Sequence, residues 1–201
     1  NGREGRLGGG GEGGRGLRVP RAVANQLIPV YDKPMSYYPL SVLMLAGIRD
    51  VLLIATPRDL PAFQSRLGTG GQWGVRLHYA VQPRPEGVAQ ALVIGESFLG
   101  DSPCCLILGD NIFHGKGLTR ILPDSAGLAP GARTFASPAS DPELYPTPGS
   151  DPDRAPTSLT DSPQLPARNL AAPGLYSYAP VAFPLSRSRM ARPPAALDAY
   201  A

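Results

Sequence analysis

An alternation of apolar strand-like runs and helix-like runs across residues 26–111 constrains the fold more than any other feature of the sequence. The alternation begins at the stretch QLIPVYDKPM, which starts at Gln26, and it closes on LILGDN, which ends at Asn111. The sharp polar motifs stand where strands would end. Open α/β sheets have this arrangement, because they bind ligands beyond the carboxyl ends of their strands. The sequence therefore predicts an α/β fold.

The individual runs have the lengths of ordinary secondary-structure elements. Gly47 is expected to follow the end of the first helix in a left-handed conformation, and Asp59 is expected to cap the start of the second. The first helix is apolar almost all round, which is typical of a buried helix. The order of strands and helices favours right-handed crossovers and a parallel sheet with helices on both faces. The predicted strands span residues 51–56, 75–81 and 104–108, and the predicted helices span residues 35–47, 60–67 and 88–99.

Proline density divides the chain near Leu122. Nine of the 24 prolines precede that point and fifteen follow it. Proline removes a backbone donor and fixes φ, which opposes both helix interiors and central strands. We expect a Gly-rich N-terminal segment over residues 1–21, an α/β core over 22–122, and a largely irregular, Pro-rich part over 123–201. Within that last part, only residues 132–136 and 174–178 have the pattern of strands.

Composition argues against two classes of partner. The net charge of +3 comes from scattered arginines and only two lysines, so no basic block indicates nucleic-acid binding. No run of about 18 apolar residues predicts a membrane span, and the first residues lack the apolar region of a signal peptide. Cys104 and Cys105 are adjacent in a predicted strand, so they should point to opposite faces as buried thiols, not as a disulfide. This cysteine usage suits the reducing cytoplasm.

Three polar residues are candidates for binding chemistry. Asp110 follows a buried strand, where α/β folds place Mg²⁺ ligands for phosphoryl and nucleotidyl transfer, although Gly-Asp-Asn also suits a simple turn. Gln26 and Gln82 each adjoin an apolar run and precede a turn. An amide offers both a donor and an acceptor, as reading a pyrimidine edge requires, but either residue alone also fits a surface amide. His114 lies close to Asp110 in the sequence, whereas His78 sits inside a strand pattern.

Residues 1–17 contain nine glycines. Backbone N–H groups in such a segment can cradle a phosphate, but dense glycine is also typical of a flexible tail, and composition alone favours the tail. The sequence contains no zinc-binding spacing and no catalytic triad.

Three longer stretches resemble the glucose-1-phosphate thymidylyltransferase (dTDP-glucose pyrophosphorylase) family of sugar nucleotidyltransferases. They are QLIPVYDKPMSYYPLSVLMLAGIRDVLLIATPRD, GTGGQWGVRLHYAVQPRPEGVAQALVIGESF and LILGDNIFHG. The match to the family as a whole covers about residues 22–122 nearly without gaps. The resemblance implies a Rossmann-like sheet and Mg²⁺-dependent transfer from dTTP to glucose 1-phosphate, with release of pyrophosphate. It also implies a cytoplasmic homotetramer that acts in deoxysugar synthesis, typically of dTDP-rhamnose.

The resemblance assigns roles to individual residues. It places a metal ligand at Asp110 and sugar contacts at Asn111 and Tyr145. The loop that cradles the triphosphate comprises Gly10, Gly11, Gly13 and Arg15, with Arg15 as its catalytic cation. The positions that recognise thymine are Gln26, Gln82 and Gly87.

Several departures from the family pattern remove charge from the implied site. Asn25 stands where the family has a phosphate-binding Lys, and residues 160–163 lack the Lys that holds the sugar phosphate. The region expected to supply a second metal-binding Asp would follow Ala201. If each charged contact contributes about 3 kcal/mol, three losses lower the rate by several powers of ten. We therefore predict little or no transferase activity, which leaves two alternatives: a catalytically inactive nucleotide-binding relative and a non-functional fragment.

Overall fold

The structure is a computed structural model of the 201-residue chain, and its contacts divide the chain into two compact units. Unit 1 comprises the described residues within Asn1–Gly87 and Leu108–Asp124, and unit 2 those within Val88–Ile107 and Ser125–Ala201. The boundaries predicted from composition stay a prediction. The described residues are 25–84, 86–115, 117–126, 131–138, 147–150, 156–160, 170–172 and 174–191.

Unit 1 begins with a short 3-10 helix, Asn25–Leu27, followed by a hairpin. Strand β1 (Pro29–Val30) pairs antiparallel with β2 (Lys33–Pro34). Pro29 and Pro34 are opposite each other at the end of this pairing, and the turn lies between Val30 and Lys33. Tyr31 lies in the turn with φ of +62° and is 97% exposed.

Helix α1 (Tyr37–Leu45) lies within the predicted helix 35–47. Gly47 follows its end with φ of +81°, as the sequence predicts. Val42 and Leu43 are buried, whereas Leu45 is 44% exposed. The prediction of burial on all sides is therefore wrong, because an apolar composition does not specify how many neighbours will cover a helix.

The centre of unit 1 is a parallel βαβ arrangement, as predicted. Strand β3 (Asp50–Ala55) leads into α2 (Leu60–Leu67), and β4 (Arg76–Val81) then pairs parallel with β3 over six residue pairs. At the start of this register the Arg76 guanidinium forms a bidentate ion pair with the carboxylate of Asp50, with Nε and Oδ1 2.6 Å apart. This hydrogen bonding lowers the pKa of Asp50 below its ordinary value.

Asp59 precedes α2 but its side chain does not cap the helix. Its carboxylate instead accepts hydrogen bonds from Thr56 Oγ1 at 2.7 Å and Arg58 Nε at 3.0 Å. The backbone of Asp59 already has helical dihedrals (φ −94°, ψ −23°), whereas a capping side chain usually requires extended backbone. Burial raises the pKa of Asp59, but the bonds from Arg58 and Thr56 outweigh burial and hold it below the ordinary value.

The core of unit 1 lies against one face of the β3–β4 pair. Leu27, Tyr37 and Trp73 pack against it, and the Tyr37 and Trp73 rings meet edge to face with centroids 5.3 Å apart. The buried members of this core are Ala55, Leu60, Phe63, Leu67, Val75 and Leu77.

A glycine is required where the chain turns from α2 into β4. Gly70 has φ of +81°, and a Cβ there would lie 2.8 Å from both Leu77 Cγ and Val75 Cγ2. Real Cβ atoms do not approach other heavy atoms so closely. The turn therefore requires glycine at position 70 for two reasons: the left-handed backbone conformation and the lack of space for a Cβ.

Unit 2 begins with α3 (Val88–Leu99), which matches the predicted helix 88–99, and β5 (Cys104–Ile107). Helix α4 (Leu118–Ala126) follows in the chain, belongs to unit 1 as far as Asp124, and was not predicted. The next strands are β6 (Ala132–Thr134), β7 (Ser137–Pro138), β8 (Thr147–Ser150), β9 (Pro156–Thr160), β10 (Leu170–Ala171) and β11 (Leu175–Tyr178).

The main sheet of unit 2 corrects one expectation. The sequence predicted β5 as the next parallel strand after β4, but β5 pairs antiparallel with β11, with Leu175 opposite Ile107 and Tyr178 opposite Cys104. Strand β6 pairs antiparallel with the other edge of β11. An apolar run indicates burial but carries no information on strand direction. The expected strands within 132–136 and 174–178 are confirmed, as is the α/β class of the fold.

The remaining described elements of unit 2 are smaller. Strands β8 and β9 form a hairpin, and β10 pairs with β7, both antiparallel. Helix α5 (Ala182–Met190) carries Arg187, which forms an ion pair with Glu96 of α3 at 3.0 Å. Cys104 and Cys105 are free thiols, as predicted, but they are half-buried instead of buried. Within the part of the chain that the structure describes, no helix has both the length and the apolar character to cross a membrane.

Candidate functional site

The carboxyl edge of the β3–β4 pair carries the first candidate residue. Gln82 directly follows β4, and its backbone N–H donates to the Ala55 carbonyl at 2.8 Å, which extends the parallel ladder by one bond. Its side chain is fully buried, at 0% exposure. Leaving a buried amide donor or acceptor unpaired costs about 1–3 kcal/mol, so a buried glutamine can discriminate strongly between ligands that satisfy it and ligands that do not.

Gln26 occupies the 3-10 helix at the start of unit 1. Its carbonyl accepts a hydrogen bond from the Ser36 N–H at 2.8 Å. The next residue, Leu27, packs against the core of the unit. The backbone of Gln26 is thus held on both sides while its side chain remains partly exposed.

Asp110 lies in a turn beyond β5. The Asn111 N–H donates to the Leu108 carbonyl at 3.3 Å, so the turn expected from Gly-Asp-Asn is formed. Asp110 and Asn111 are both partly exposed, and a turn of this kind leaves the carboxylate available to a ligand. His114 is exposed nearby in the sequence.

The donor set around Asp110 suits only some metals. Among the described residues, no group of three or more His, Cys, Asp or Glu side chains could hold a metal ion by itself. Mg²⁺ keeps several waters and is commonly bound by one or two carboxylates together with substrate phosphates. A single carboxylate in a turn therefore fits Mg²⁺ that arrives with a triphosphate.

The backbone conformation at Gly87 is one that residues with a side chain rarely adopt. Its φ is +93°, and a Cβ there would meet nothing within 4 Å. The position is exposed and immediately precedes α3. A residue with a side chain would strain the backbone at this point without colliding with a neighbour.

Among the described candidates, Gln26, Gln82, Gly87, Asp110 and Asn111 all belong to unit 1. Gly10, Gly11, Gly13, Arg15 and Tyr145 lie outside the described residues.

A further set of contacts, which the sequence did not reveal, lies in and beside the hairpin that follows Gln26. The Tyr38 hydroxyl donates to the Val30 carbonyl at 2.7 Å, and Lys33 Nζ lies 4.9 Å from the centroid of the Tyr38 ring. Ser36, whose N–H binds the Gln26 carbonyl, is only 7% exposed. These contacts join residues a few positions apart, and no recognised motif predicts them.

A parallel βαβ unit with polar residues beyond the ends of its strands is typical of α/β proteins that bind nucleotides. Residues 7–197 match the nucleotidyl transferase family, and the chain belongs to that family. The family resemblance inferred from the sequence is confirmed.

Relatives identify the branch of the family that this chain resembles. It is 51% identical over 169 residues to a glucose-1-phosphate thymidylyltransferase of Xanthomonas campestris, covering 84% of this chain and 57% of the relative. A thymidylyltransferase of Neisseria gonorrhoeae is 56% identical over 136 residues, or 68% of this chain and 47% of the relative. The chain thus spans about half the length of the curated relatives it matches.

Solved structures agree with this fold. A structure described as a glucose-1-phosphate thymidylyltransferase from Bacillus anthracis in complex with sucrose superposes with a TM-score of 0.77 at 27% identity, covering 89% of this chain and 71% of that one. An unliganded UDP-glucose pyrophosphorylase gives a TM-score of 0.69 at 16% identity and covers 87% of this chain and 75% of the other, which supports the fold alone.

Proposed function

We propose that this chain forms the nucleotide-binding part of a glucose-1-phosphate thymidylyltransferase. The proposal rests on Gln82, which is fully buried at the carboxyl edge of the β3–β4 pair. Gln82 lies in the same unit as Gln26 and Asp110. The chain is also 51% identical to a thymidylyltransferase. Open α/β sheets bind their ligands at this edge.

Each residue then has a defined task. The amides of Gln26 and Gln82 hydrogen-bond the thymine edge, with Gly87 allowing the backbone to approach the base. Asp110 would hold Mg²⁺, which when bound would neutralise phosphate charge. Asn111 and Tyr145 contact the sugar. The phosphate groups are bound by the loop residues Gly10, Gly11, Gly13 and Arg15.

In the reaction, an oxygen of glucose 1-phosphate attacks the α-phosphorus of dTTP, and the bond from that phosphorus to pyrophosphate breaks. Such in-line displacement depends mainly on positioning and charge stabilisation. Following the resemblance, we also propose a cytoplasmic homotetramer that supplies dTDP-glucose for deoxysugar synthesis.

Binding is tested by calorimetric titration of the chain with dTTP and with dCTP in the presence of Mg²⁺. We expect dTTP to bind about tenfold or more tightly than dCTP, because each unpaired buried polar group costs about 1–3 kcal/mol. Gln82→Met removes the amide with little change of length and should abolish this preference. The matched control is Gln64→Met on the exposed face of α2, which should change nothing. No dTTP binding, or equal binding of both nucleotides, would refute the proposal.

Turnover is tested separately with dTTP and glucose 1-phosphate. We predict a low rate for the unaltered chain because Asn25 replaces a phosphate-binding Lys of the family. Asn25→Lys should raise turnover about a hundredfold, since one charged contact contributes about 3 kcal/mol to the transition state. An ordinary enzymatic rate in the unaltered chain would contradict this explanation. Binding of dTTP without turnover in either form would instead identify an inactive relative.

A further inference from the structure

The segment from Gln26 to Ser36 is a hairpin whose closed end is the turn at Tyr31. Beyond the paired strands its two arms are joined by Met35 N–H donating to the Ile28 carbonyl at 3.0 Å, and by Ser36 N–H donating to the Gln26 carbonyl at 2.8 Å. Gln26 therefore stands at the open end of this hairpin. Its backbone position depends on the two arms staying together.

The hairpin is too short to be stable by itself. Strands β1 and β2 contribute two residues each, and isolated two-stranded hairpins are at best marginally stable in water. The Ser36 hydroxyl is buried and has no hydrogen-bond partner among the residues that the structure describes, so it does not reinforce the junction. Support must come from elsewhere in unit 1.

Tyr38 supplies such support from the first turn of α1. Its hydroxyl donates to the Val30 carbonyl on the outgoing arm at 2.7 Å. Its ring faces Lys33 on the returning arm, with Nζ 4.9 Å from the ring centroid, within the range of a cation–π interaction. Helix α1 is itself anchored by the buried Val42 and Leu43. One side chain thus ties both arms to a fixed element.

We propose that Tyr38 is a positioning residue of the nucleotide site, because its hydroxyl fixes the hairpin that holds Gln26. The role at the site rests on the proposed function, in which the Gln26 amide reads thymine. In this role Tyr38 acts through the backbone that holds Gln26. Tyr38→Phe isolates the effect of the hydroxyl, because the ring that faces Lys33 is retained.

The test compares Tyr38→Phe with Tyr31→Phe in the full chain. Tyr31→Phe is the matched control, since it also removes a tyrosine hydroxyl, but from the turn of the hairpin, where the side chain is 97% exposed. Without nucleotide, hydrogen exchange of the Met35 and Ser36 amides should be about fivefold faster in Tyr38→Phe, the effect of losing one net hydrogen bond. With Mg²⁺, the Kd for dTTP should rise about fivefold, and the preference for dTTP over dCTP should fall.

A general loss of stability would not change base preference, so the ratio of the two Kd values separates positioning from a purely structural role. The inference is overturned if exchange at Met35 and Ser36 and the base preference are the same in both variants. If the unaltered chain fails to bind dTTP while Tyr38→Phe still accelerates exchange, the proposed function is refuted, and the role of Tyr38 in fixing Gln26 is supported.

Discussion

The paired strands of unit 1 lie close together in the sequence, whereas those in the main sheet of unit 2 lie far apart. Strands β3 and β4 are joined by one helix and pair parallel over their whole length. Strand β11 instead pairs with β5 and β6, which precede it by about 70 and 40 residues in the chain. Local apolar patterns are enough to predict a βαβ crossover. They do not identify the partner of a strand when that partner comes much later in the chain.

The candidate chemistry follows the same division. The described candidates for nucleotide binding all lie in unit 1, where local patterns predicted the fold. Unit 2 contributes a sheet with two half-buried thiols on β5 and a stacked pair of tyrosines, Tyr176 and Tyr178, on β11. The difference predicts that nucleotide stabilises unit 1 and that unit 2 responds mainly to packing and pH.

The largest expected loss of stability comes from substitutions that would create one cavity in the core of each unit. Leu67 in unit 1 and Leu175 in unit 2 are 2% and 1% exposed. Each substitution to Ala should lower the free energy of unfolding by about 3 kcal/mol in urea titrations, because buried leucines leave cavities. Leu185→Ala, at a residue 67% exposed, is the control and should cost less than about 0.5 kcal/mol. A cost below about 1 kcal/mol for Leu175→Ala would mean that the unit 2 sheet adds little to stability.

The turn between α2 and β4 offers a sharper test of packing in unit 1. Gly70→Ala and Gly74→Ala both place a side chain at positive φ, but only the first brings Cβ within 2.8 Å of neighbours. We expect Gly74→Ala to cost about 1 kcal/mol and Gly70→Ala about 2 kcal/mol more, measured by thermal unfolding. Equal costs would show that the contacts with Val75 and Leu77 relax freely.

The two thiols of β5, in unit 2, predict that the stability of the protein depends on pH. Burial raises the pKa of both Cys104 and Cys105 from an ordinary value of 9.0 to about 11. Between these values the folded protein keeps protons that the unfolded chain loses, so stability should fall as pH rises, by on the order of 1 kcal/mol for each thiol. Cys105→Ala should flatten the fall measured between pH 9 and pH 11. An unchanged slope would contradict the assignment.

The smallest expected effect is a gain at the hairpin of unit 1. Tyr31 adopts φ of +62°, which is strained for a residue with a side chain. Tyr31→Gly should raise the free energy of unfolding by about 0.5–1 kcal/mol, since relief of strain exceeds the added entropy of glycine in the unfolded chain. Asp32→Gly at the adjacent position has no positive φ to relieve and should destabilise slightly. A loss of stability in Tyr31→Gly would show that its side chain makes useful contacts.

Sequence reasoning succeeded where the structure depends on neighbouring residues. Helix α2 coincides with the predicted helix 60–67, and the conformation predicted for Gly47 is observed. It failed for α5, because proline density masked a helix in which Pro184 occupies the first turn, where a missing N–H does no harm. The prediction that Asp59 caps α2 also failed, because its carboxylate accepts hydrogen bonds from Thr56 and Arg58 instead. The bond from Tyr38 to Val30 leaves no signal in the pattern of apolar residues.

Hydrogen exchange of the full chain with and without dTTP and Mg²⁺ tests the central claim most directly, because it reports which amides a bound nucleotide protects. We predict protection at residues 26–36, 81–87 and 108–111 and none along β11. Protection confined to residues 174–191, or exchange unchanged around Gln82, would contradict a nucleotide site at the carboxyl edge of the β3–β4 pair.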